Sequence, residues 1–249
     1  MKKGFLILLV TIFLLIAFLN QAAYASSKKV MSNAGNPVAV FYVPHQDDEL
    51  LTFGVGILNH IESGYDVHLV LYTDGQASNV FKQMKIEPEQ FGKIRDKEFK
   101  RSAKSLGVHM NNLHFIDLPD GKVTTENMRE IILTYEKKFP GALHRGFSYY
   151  DLHNDHRVAG EALNDLYNEG EISKDTRLYI NYGYYTTQGT EDPMSDRFRK
   201  KLLNASKAYK VNNPRFGFHA IGWKSAKPLF LNLERNPKSV YHSPNYVEE

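Results

Sequence analysis

The sequence contains no cysteine among its 249 residues. Disulfide bonds, thiolate metal ligands, a cysteine nucleophile and lipid attachment to an exported cysteine are therefore excluded. Neither sign of charge dominates, because 31 lysines and arginines stand against 28 aspartates and glutamates. This balance does not favour a cationic surface for nucleic acid. A G-x-G-x-x-G motif is also missing after the first predicted strand, which argues against a dinucleotide site.

A long apolar run extends from Phe5 to Leu19, directly after Lys2 and Lys3. The segment Ala23–Ala25 then supplies a small-x-small motif of the kind that signal peptidases cleave. This order predicts a signal peptide over residues 1–25 and a secreted or cell-surface protein. The run is shorter than the roughly 20 residues that span a bilayer. Membrane association would therefore require an uncleaved signal or a glycolipid substrate.

The rest of the chain has the pattern of one α/β domain. Residues 26–36 are small and polar and predict a flexible lead-in, and residues 37–249 are predicted to form a single domain. Strand patterns alternate with helical patterns, which predicts a three-layer α/β/α arrangement around a mostly parallel sheet of about five strands or more. The predicted strands are 38–43, 66–72, 113–118, 142–150 and 177–185, and the predicted helices are 47 or 48 to 63, 90–106, 125–139, 158–168 and about 193–209.

Metal-ligand side chains follow the first strand directly. His45, Asp47, Asp48 and Glu49 occupy five successive positions together with Gln46, just after an apolar strand and just before a helical pattern. Parallel sheets place their sites at the carboxyl edge of the strands, where such a loop lies. Acidic residues at a helix start also occur without function, because they complement the helix dipole. This cluster alone therefore leaves both readings open.

A second polar cluster favours the metal-site interpretation. His153, Asp155 and His156 follow the predicted fourth strand and also open a helix, so the two clusters should face each other across the sheet edge. Two imidazoles, one carboxylate and an open position form the usual catalytic zinc pattern, and the same set suits Fe(II). A carboxylate outside the ligand set would be free to move a proton.

The sequence resembles the PIG-L/LmbE-like zinc-dependent N-deacetylase family in four motifs. It has P-H-x-D-D-E at 44–49, T-D-G at 73–75, R-x-x-E at 95–98 and H-x-D-H at 153–156. The resemblance implies a Rossmann-like fold and hydrolysis of N-acetyl groups. The implied substrate is an amino sugar or glycan that contains N-acetylglucosamine.

The resemblance also implies roles for the residues of the first cluster. His45 and Asp48, with His156 from the second cluster, would be the metal ligands. The expected ion is Zn²⁺, with Fe²⁺ or another divalent ion as the alternative. Asp47 would be the general base that takes a proton from the attacking water.

Four further residues receive roles from the same resemblance. His153 would be the second acid/base group, either stabilising the oxyanion or protonating the leaving amine, and Asp155 would orient its ring. Arg95 would bind substrate. Asp74 would lie near the site and support a metal ligand.

The chain departs from the family pattern at three positions. Gln46 stands where the family usually has proline, Asn154 where it often has proline, and Asp151 where it often has tyrosine. Gln46 is expected to place an amide near the metal ligands. Two other functions stay open: a non-catalytic glycan-binding protein on the same fold, and a metal-dependent hydrolase of another bond such as a phosphoester.

Overall fold

A computed structural model of the chain describes residues 35–181 and 188–247. Contacts divide the chain between Asn36 and Pro37, and the fold described below is that of the part beginning at Pro37. The predicted signal peptide, most of the predicted lead-in and the end of the predicted fifth strand (182–185) lie outside the described residues. Within the described ranges, no helix is both long and apolar enough to cross a membrane.

The described residues contain nine strands: β1 Val38–Val43, β2 Asp66–Thr73, β3 Leu113–Leu118, β4 Leu143–Phe147, β5 Arg177–Ile180, β6 Thr190–Glu191, β7 Asn212–Asn213, β8 Phe218–His219 and β9 Val240–His242. Seven of them form the central sheet, in the order β3-β2-β1-β4-β5-β9-β6. The first five strands in that order are parallel, whereas β9 pairs antiparallel with both β5 and β6. A separate antiparallel pair joins β7 to β8.

Helices cover both faces of this sheet, because the side chains of its central strands are apolar on both faces. The helices of the described residues are α1 Asp48–Leu51, α2 Gly54–Glu62, α3 Pro88–Leu106, α4 Thr125–Lys138, α5 Asn154–Glu169, α6 Asp196–Lys210 and α7 Ile221–Arg235. Phe41 and Val43 of β1 pack towards α2, α3, α6 and α7, whereas Val40 and Tyr42 pack towards α4 and α5. The predicted α/β class with a mostly parallel sheet is therefore confirmed.

The first predicted helix is divided into two. Ser239, which immediately precedes β9, donates its hydroxyl to Thr52 O at 2.6 Å and accepts from Val55 N at 3.2 Å. In one continuous helix, Thr52 O and Val55 N would form hydrogen bonds with other backbone groups of that helix. Both bind Ser239 instead, so α1 ends at Leu51 and α2 begins at Gly54. Local sequence did not indicate this break, because the residue responsible is 187 positions away in the chain.

The chain after the last predicted helix contains further secondary structure. The sequence predicts no element beyond about residue 209, but the structure has helix α7 and strand β9 there. Val240 pairs with Ile180, so β9 extends the sheet beyond β5. A three-residue strand has too few positions to show an alternating pattern, and only its sheet partner identifies it.

The order of the strands creates a crevice at one place. The chain leaves β1 for β2 on one side, while β4 lies against the other side of β1. Connections on the two sides of this switch point diverge, which opens the carboxyl ends of β1 and β4. Both predicted clusters follow these two strands, so the fold brings them to the same crevice.

Candidate active site

The loop after β1 is held tightly against the sheet edge. Thr73, at the end of β2, donates its hydroxyl to Pro44 O at 2.6 Å. The backbone N–H of His45 donates to Asp48 Oδ2 at 3.1 Å, and Asp48 N donates to His45 O at 3.2 Å. The loop thus turns directly into α1, with the side chains of its polar residues at the crevice.

Three side-chain atoms of the two clusters that could bind a metal ion converge at the crevice. His45 Nδ1 lies 3.3 Å from Asp48 Oδ2 and 3.1 Å from His156 Nε2. Asp48 Oδ2 and His156 Nε2 are 3.4 Å apart. All three residues are buried. The structure therefore brings together the three residues that were predicted as metal ligands.

The spacing of these atoms fits a divalent cation. Ligand atoms bound roughly 2.1 Å from a tetrahedral ion lie about 3.4 Å from one another. The three observed separations run from 3.1 to 3.4 Å. Two imidazole nitrogens and one carboxylate oxygen also leave a fourth position for water or substrate, as in catalytic zinc sites.

The second ring nitrogen of His45 faces two more carboxylates. His45 Nε2 lies 3.2 Å from Asp120 Oδ1 and 3.3 Å from Asp155 Oδ2. Asp155 also accepts from Gly121 N at 2.7 Å, which ties the loop after β3 to the start of α5. These carboxylates fix the orientation of the His45 ring, and second partners of this kind set the ligand nitrogen of a metal-binding histidine.

His153 lies at the rim of the crevice and is exposed. Its ring centre is 4.7 Å from that of His45 and 4.8 Å from that of His156. Asp155 was predicted to orient this ring, but its Oδ2 is instead placed against His45. His153 and Asp155 are close in sequence at the start of α5. Asp155 is nevertheless buried and points inward from the first turn of this helix.

A family model described as PIG-L: GlcNAc-PI de-N-acetylase matches residues 40–167, which include both clusters. The chain belongs to the PIG-L family. The predicted family is thereby confirmed. A curated relative, the diacetylchitobiose deacetylase of Thermococcus kodakarensis, is 33% identical over 121 residues. That match covers 47% of this chain and 44% of the relative, so it spans less than half the length of either.

Solved structures share the fold over a longer stretch. The N,N'-diacetylchitobiose deacetylase from Pyrococcus horikoshii has a TM-score of 0.60 at 17% identity, covering 90% of this chain and 92% of that one. The 4-carboxy-2-hydroxymuconate hydratase GalB from Pseudomonas putida has a TM-score of 0.55 at 16% identity, covering 86% and 99%. The PIG-L fold thus occurs with different activities, so the reaction must be argued from the site.

Arg95 was predicted to bind substrate, but its side chain is only 4% exposed. Its two terminal nitrogens donate to backbone carbonyls, Nη1 to Gly75 O and Nη2 to Gln46 O, both at 2.9 Å. Its nearest carboxylate contact is with Asp47, at 3.7 Å. In this PIG-L chain the guanidinium therefore holds the loops of the site in place.

Asp74 and Gln46 also support the loops. Asp74 Oδ1 accepts from Gln76 N at 3.0 Å and from Asp120 N at 3.2 Å, so it stabilises a turn and positions the residue that faces His45. The Gln46 amide, expected near the ligands, instead donates to Asp96 on α3 at 2.9 Å. Its oxygen fills the space where a side chain at Gly75 would lie, and Gly75 also has a φ of +65°.

Sequence reasoning missed three residues of the site. Asp120 follows β3 in a Pro-Asp-Gly turn, so its place at the carboxyl edge was a usable signal. Asp151 accepts from the His156 ring at 3.0 Å, whereas its sequence position indicates only a departure from the family pattern. Tyr209 donates its hydroxyl to Glu49 at 2.7 Å, and nothing near it in sequence indicates this contact.

Burial and charge act in opposite directions on the two adjacent aspartates. Burial raises the pKa of Asp47 well above its usual range, with Arg95 opposing the shift. Asp48 is as buried, but its two histidine neighbours outweigh burial and hold its pKa well below the usual range. The site thus stabilises the charged form of Asp48 and disfavours the charged form of Asp47, so Asp47 accepts a proton more readily than Asp48 does.

The pKa values of two histidines of the site are likewise shifted in opposite directions. Burial lowers the pKa of His156, but Asp48 and Asp151 outweigh it and raise the value to about 9. Partial burial and the neighbouring His45 and His156 lower the pKa of His153. A neutral His153 therefore faces the crevice at pH 7, and a bound cation would act in the same direction.

Proposed function

We propose that this protein is an exported, metal-dependent hydrolase that removes N-acetyl groups from an amino-sugar substrate containing N-acetylglucosamine. The observation that carries the proposal is the convergence of His45, Asp48 and His156 beside the separate carboxylate of Asp47. PIG-L membership and the activity named for the curated relative support the same substrate class. The amino-terminal pattern Lys2–Ala25 supports export.

The ion would be held by His45 Nδ1, Asp48 Oδ2 and His156 Nε2, which have the spacing of a tetrahedral set. Zinc bound there would supply Lewis-acid chemistry to the amide carbonyl and to water. Asp120 and Asp155 would hold the His45 ring from behind, and Asp151 would hold the ring of His156.

The chain's own groups then account for the proton transfers. Asp47, with its raised pKa, takes the proton from the water that attacks the acetyl carbon and returns it to the departing amine. His153, neutral at pH 7, donates a ring N–H to the carbonyl oxygen as negative charge develops there. Its lowered pKa favours this role over full proton donation to the amine.

The test is acetate release by the purified protein from a panel of N-acetylglucosamine compounds, from monosaccharide to polymer and glycolipid. Asp47→Asn is measured beside the wild type, and bound metal is counted in both. We expect about one ion per chain in each, and acetate release about 10²- to 10⁴-fold slower from Asp47→Asn than from the wild type. Metal binding without acetate from any compound would contradict the proposed reaction, and two ions per chain would favour the phosphoester alternative.

Export has its own test. The amino terminus of protein recovered from outside the producing cells is sequenced. Cleavage after Ala25 predicts a chain that begins at Ser26. Retention of the intact protein inside the cell would contradict this part of the proposal.

A further inference from the structure

Asp47 has a backbone conformation that non-glycine residues rarely adopt. Its φ is 128° and its ψ is −26°. This region is disfavoured for any residue with a Cβ atom, so the surrounding structure must hold it in place. Because Asp47 is the proposed general base, the groups that hold its backbone in this conformation also determine where the base lies.

The peptide unit between Gln46 and Asp47 is bonded at both ends. Its carbonyl, Gln46 O, accepts from Arg95 Nη2 at 2.9 Å. Its N–H, on Asp47, donates to Glu49 Oε2 at 3.0 Å. These two bonds fix the plane of the peptide and with it the direction in which the Asp47 side chain leaves the backbone.

Each of the two bonding groups is anchored in turn. Arg95 Nη1 donates to Gly75 O at 2.9 Å, on the neighbouring loop. Glu49 Oε1 accepts from the hydroxyl of Tyr209 at 2.7 Å. Glu49 and Tyr209 are fully buried, and Arg95 is 4% exposed. The protein interior therefore holds all three side chains in place, and none of them can move together with a substrate.

Tyr209 is itself wedged in place by α7. A Cβ at Gly222 would lie 2.5 Å from Tyr209 Cδ1, so only glycine permits the ring to lie this close to the helix. Glu98 accepts from Ile221 N at 2.8 Å and from Gly222 N at 2.9 Å, which holds the first turn of α7. The R-x-x-E motif thus supports the Asp47 peptide twice, through Arg95 directly and through Glu98, α7 and Tyr209.

We infer that Arg95, Glu49 and Tyr209 form a clamp on the Gln46–Asp47 peptide that aims the Asp47 carboxylate. They are positioning residues, and Arg95 does not bind substrate. The inference rests on the proposed function of Asp47 as general base. Among the residues that the structure describes, the shortest side-chain contact of the carboxylate is with Arg95 at 3.7 Å, so the backbone, rather than a strong side-chain partner, sets its direction.

Two variants loosen the clamp at different points. Tyr209→Phe removes one hydroxyl and keeps the ring, while Arg95→Lys keeps the charge and loses the two-pronged contact. Misplacement of a base by about 1 Å costs roughly 10²-fold in rate. We expect kcat for acetate release to fall about 10- to 100-fold in each variant, with KM and bound metal nearly unchanged.

Tyr179→Phe is the matched control. Tyr179 is also fully buried and also donates its hydroxyl to a carboxylate at 2.7 Å, that of Asp192, away from the Asp47 loop. It should lose the same kind of bond without the fall in kcat. A raised KM at constant kcat in Arg95→Lys, or equal kcat in the two tyrosine variants, would overturn the inference.

Hydrogen exchange at the Asp47 amide tests the clamp without any turnover. The amide should be protected in the wild type and in Tyr179→Phe, and should exchange at least tenfold faster in Tyr209→Phe, because its acceptor Glu49 loses its anchor. Unchanged exchange in Tyr209→Phe would overturn the clamp. If the wild type releases no acetate at all, the proposed function fails, and this exchange measurement alone still decides about the clamp.

Discussion

Asp151 Oδ2 lies 3.0 Å from Nδ1 of His156, on the opposite side of the ring from the nitrogen that faces Asp48 and His45. The other oxygen of Asp151 accepts from His153 N at 2.8 Å. One buried carboxylate therefore fixes the tautomer of a proposed metal ligand and the start of the turn that carries it. Asp151 stands where the family often has tyrosine, so this chain orients His156 with a charge.

Replacing Asp151 with asparagine should weaken metal binding without abolishing it. The variant keeps the shape of the side chain but loses the charge that supports the Nδ1–H of His156. Loss of such a partner typically costs 10- to 100-fold in metal affinity. Competition with a chelator of known affinity measures the change. Asp165→Asn, at an exposed position of helix α5, is the control and should match the wild type. Equal affinity in all three proteins would contradict the role of Asp151.

Asparagine substitutions at the two adjacent aspartates of the first cluster should have different effects on bound metal and on kcat. Asp48→Asn removes a charged oxygen that lies 3.3 and 3.4 Å from the two histidine nitrogens, so the bound metal should be lost. Asp47→Asn should keep the metal and lower kcat about 10²- to 10⁴-fold, because a proton acceptor is gone. Metal counts and acetate release on the same samples check both. Loss of metal from Asp47→Asn would show that the ligand assignment is wrong.

Stability should fall as the pH drops below 6.5 because of His60. Its Nδ1–H donates to Gly56 O at 2.7 Å and its Nε2 accepts from Arg145 Nε at 3.0 Å, a pattern that only a neutral ring can make. Burial, with Arg145 and Arg177 adding to it and Asp175 opposing, lowers the pKa of His60 to about 4. As the pH falls, His60 is protonated in the unfolded chain before it is protonated in the folded protein. Its full contribution to the free energy of unfolding is therefore present above pH 6.5, and this contribution falls by on the order of 3 kcal/mol towards pH 4.

Denaturant unfolding from pH 7.5 to 4 measures this contribution. His60→Gln, which has no titrating group, should be less stable at neutral pH and lose less stability on acidification. His109→Gln, at an exposed position, should keep the slope of the wild type. Identical slopes for the two variants would show that another group is responsible.

Phe53 should be among the costliest core residues to truncate. It is fully buried, and its ring centre lies 5.0 Å from Phe147, 5.2 Å from Tyr179 and 5.5 Å from Phe41. Phe53→Ala would leave a cavity between β1, β4 and β5 and is expected to cost about 3–5 kcal/mol of unfolding free energy. Phe216→Ala, at a side chain that is 68% exposed, should cost under about 0.5 kcal/mol by the same measurement. Similar losses for both would contradict this view of the core.

The sequence alone determined the class of fold and the place of the site. The apolar stretch of β1, the helical periodicity of α3 and the polar residues after β1 and β4 are local features, so they are visible without a structure. Because parallel strands end at one edge, His45 and His156 could be predicted to meet although 111 positions separate them.

Only the tertiary structure decided which neighbours those residues have. The contact of Tyr209 with Glu49 joins positions 160 apart, and Ser239 interrupts the helix after Leu51 from 187 positions away. The burial of Arg95 and the turn of Asp155 towards His45 likewise depend on packing between distant segments. Hydrophobic patterning identifies which faces are buried, but the direction of each polar side chain depends on which partner the fold brings within hydrogen-bond distance.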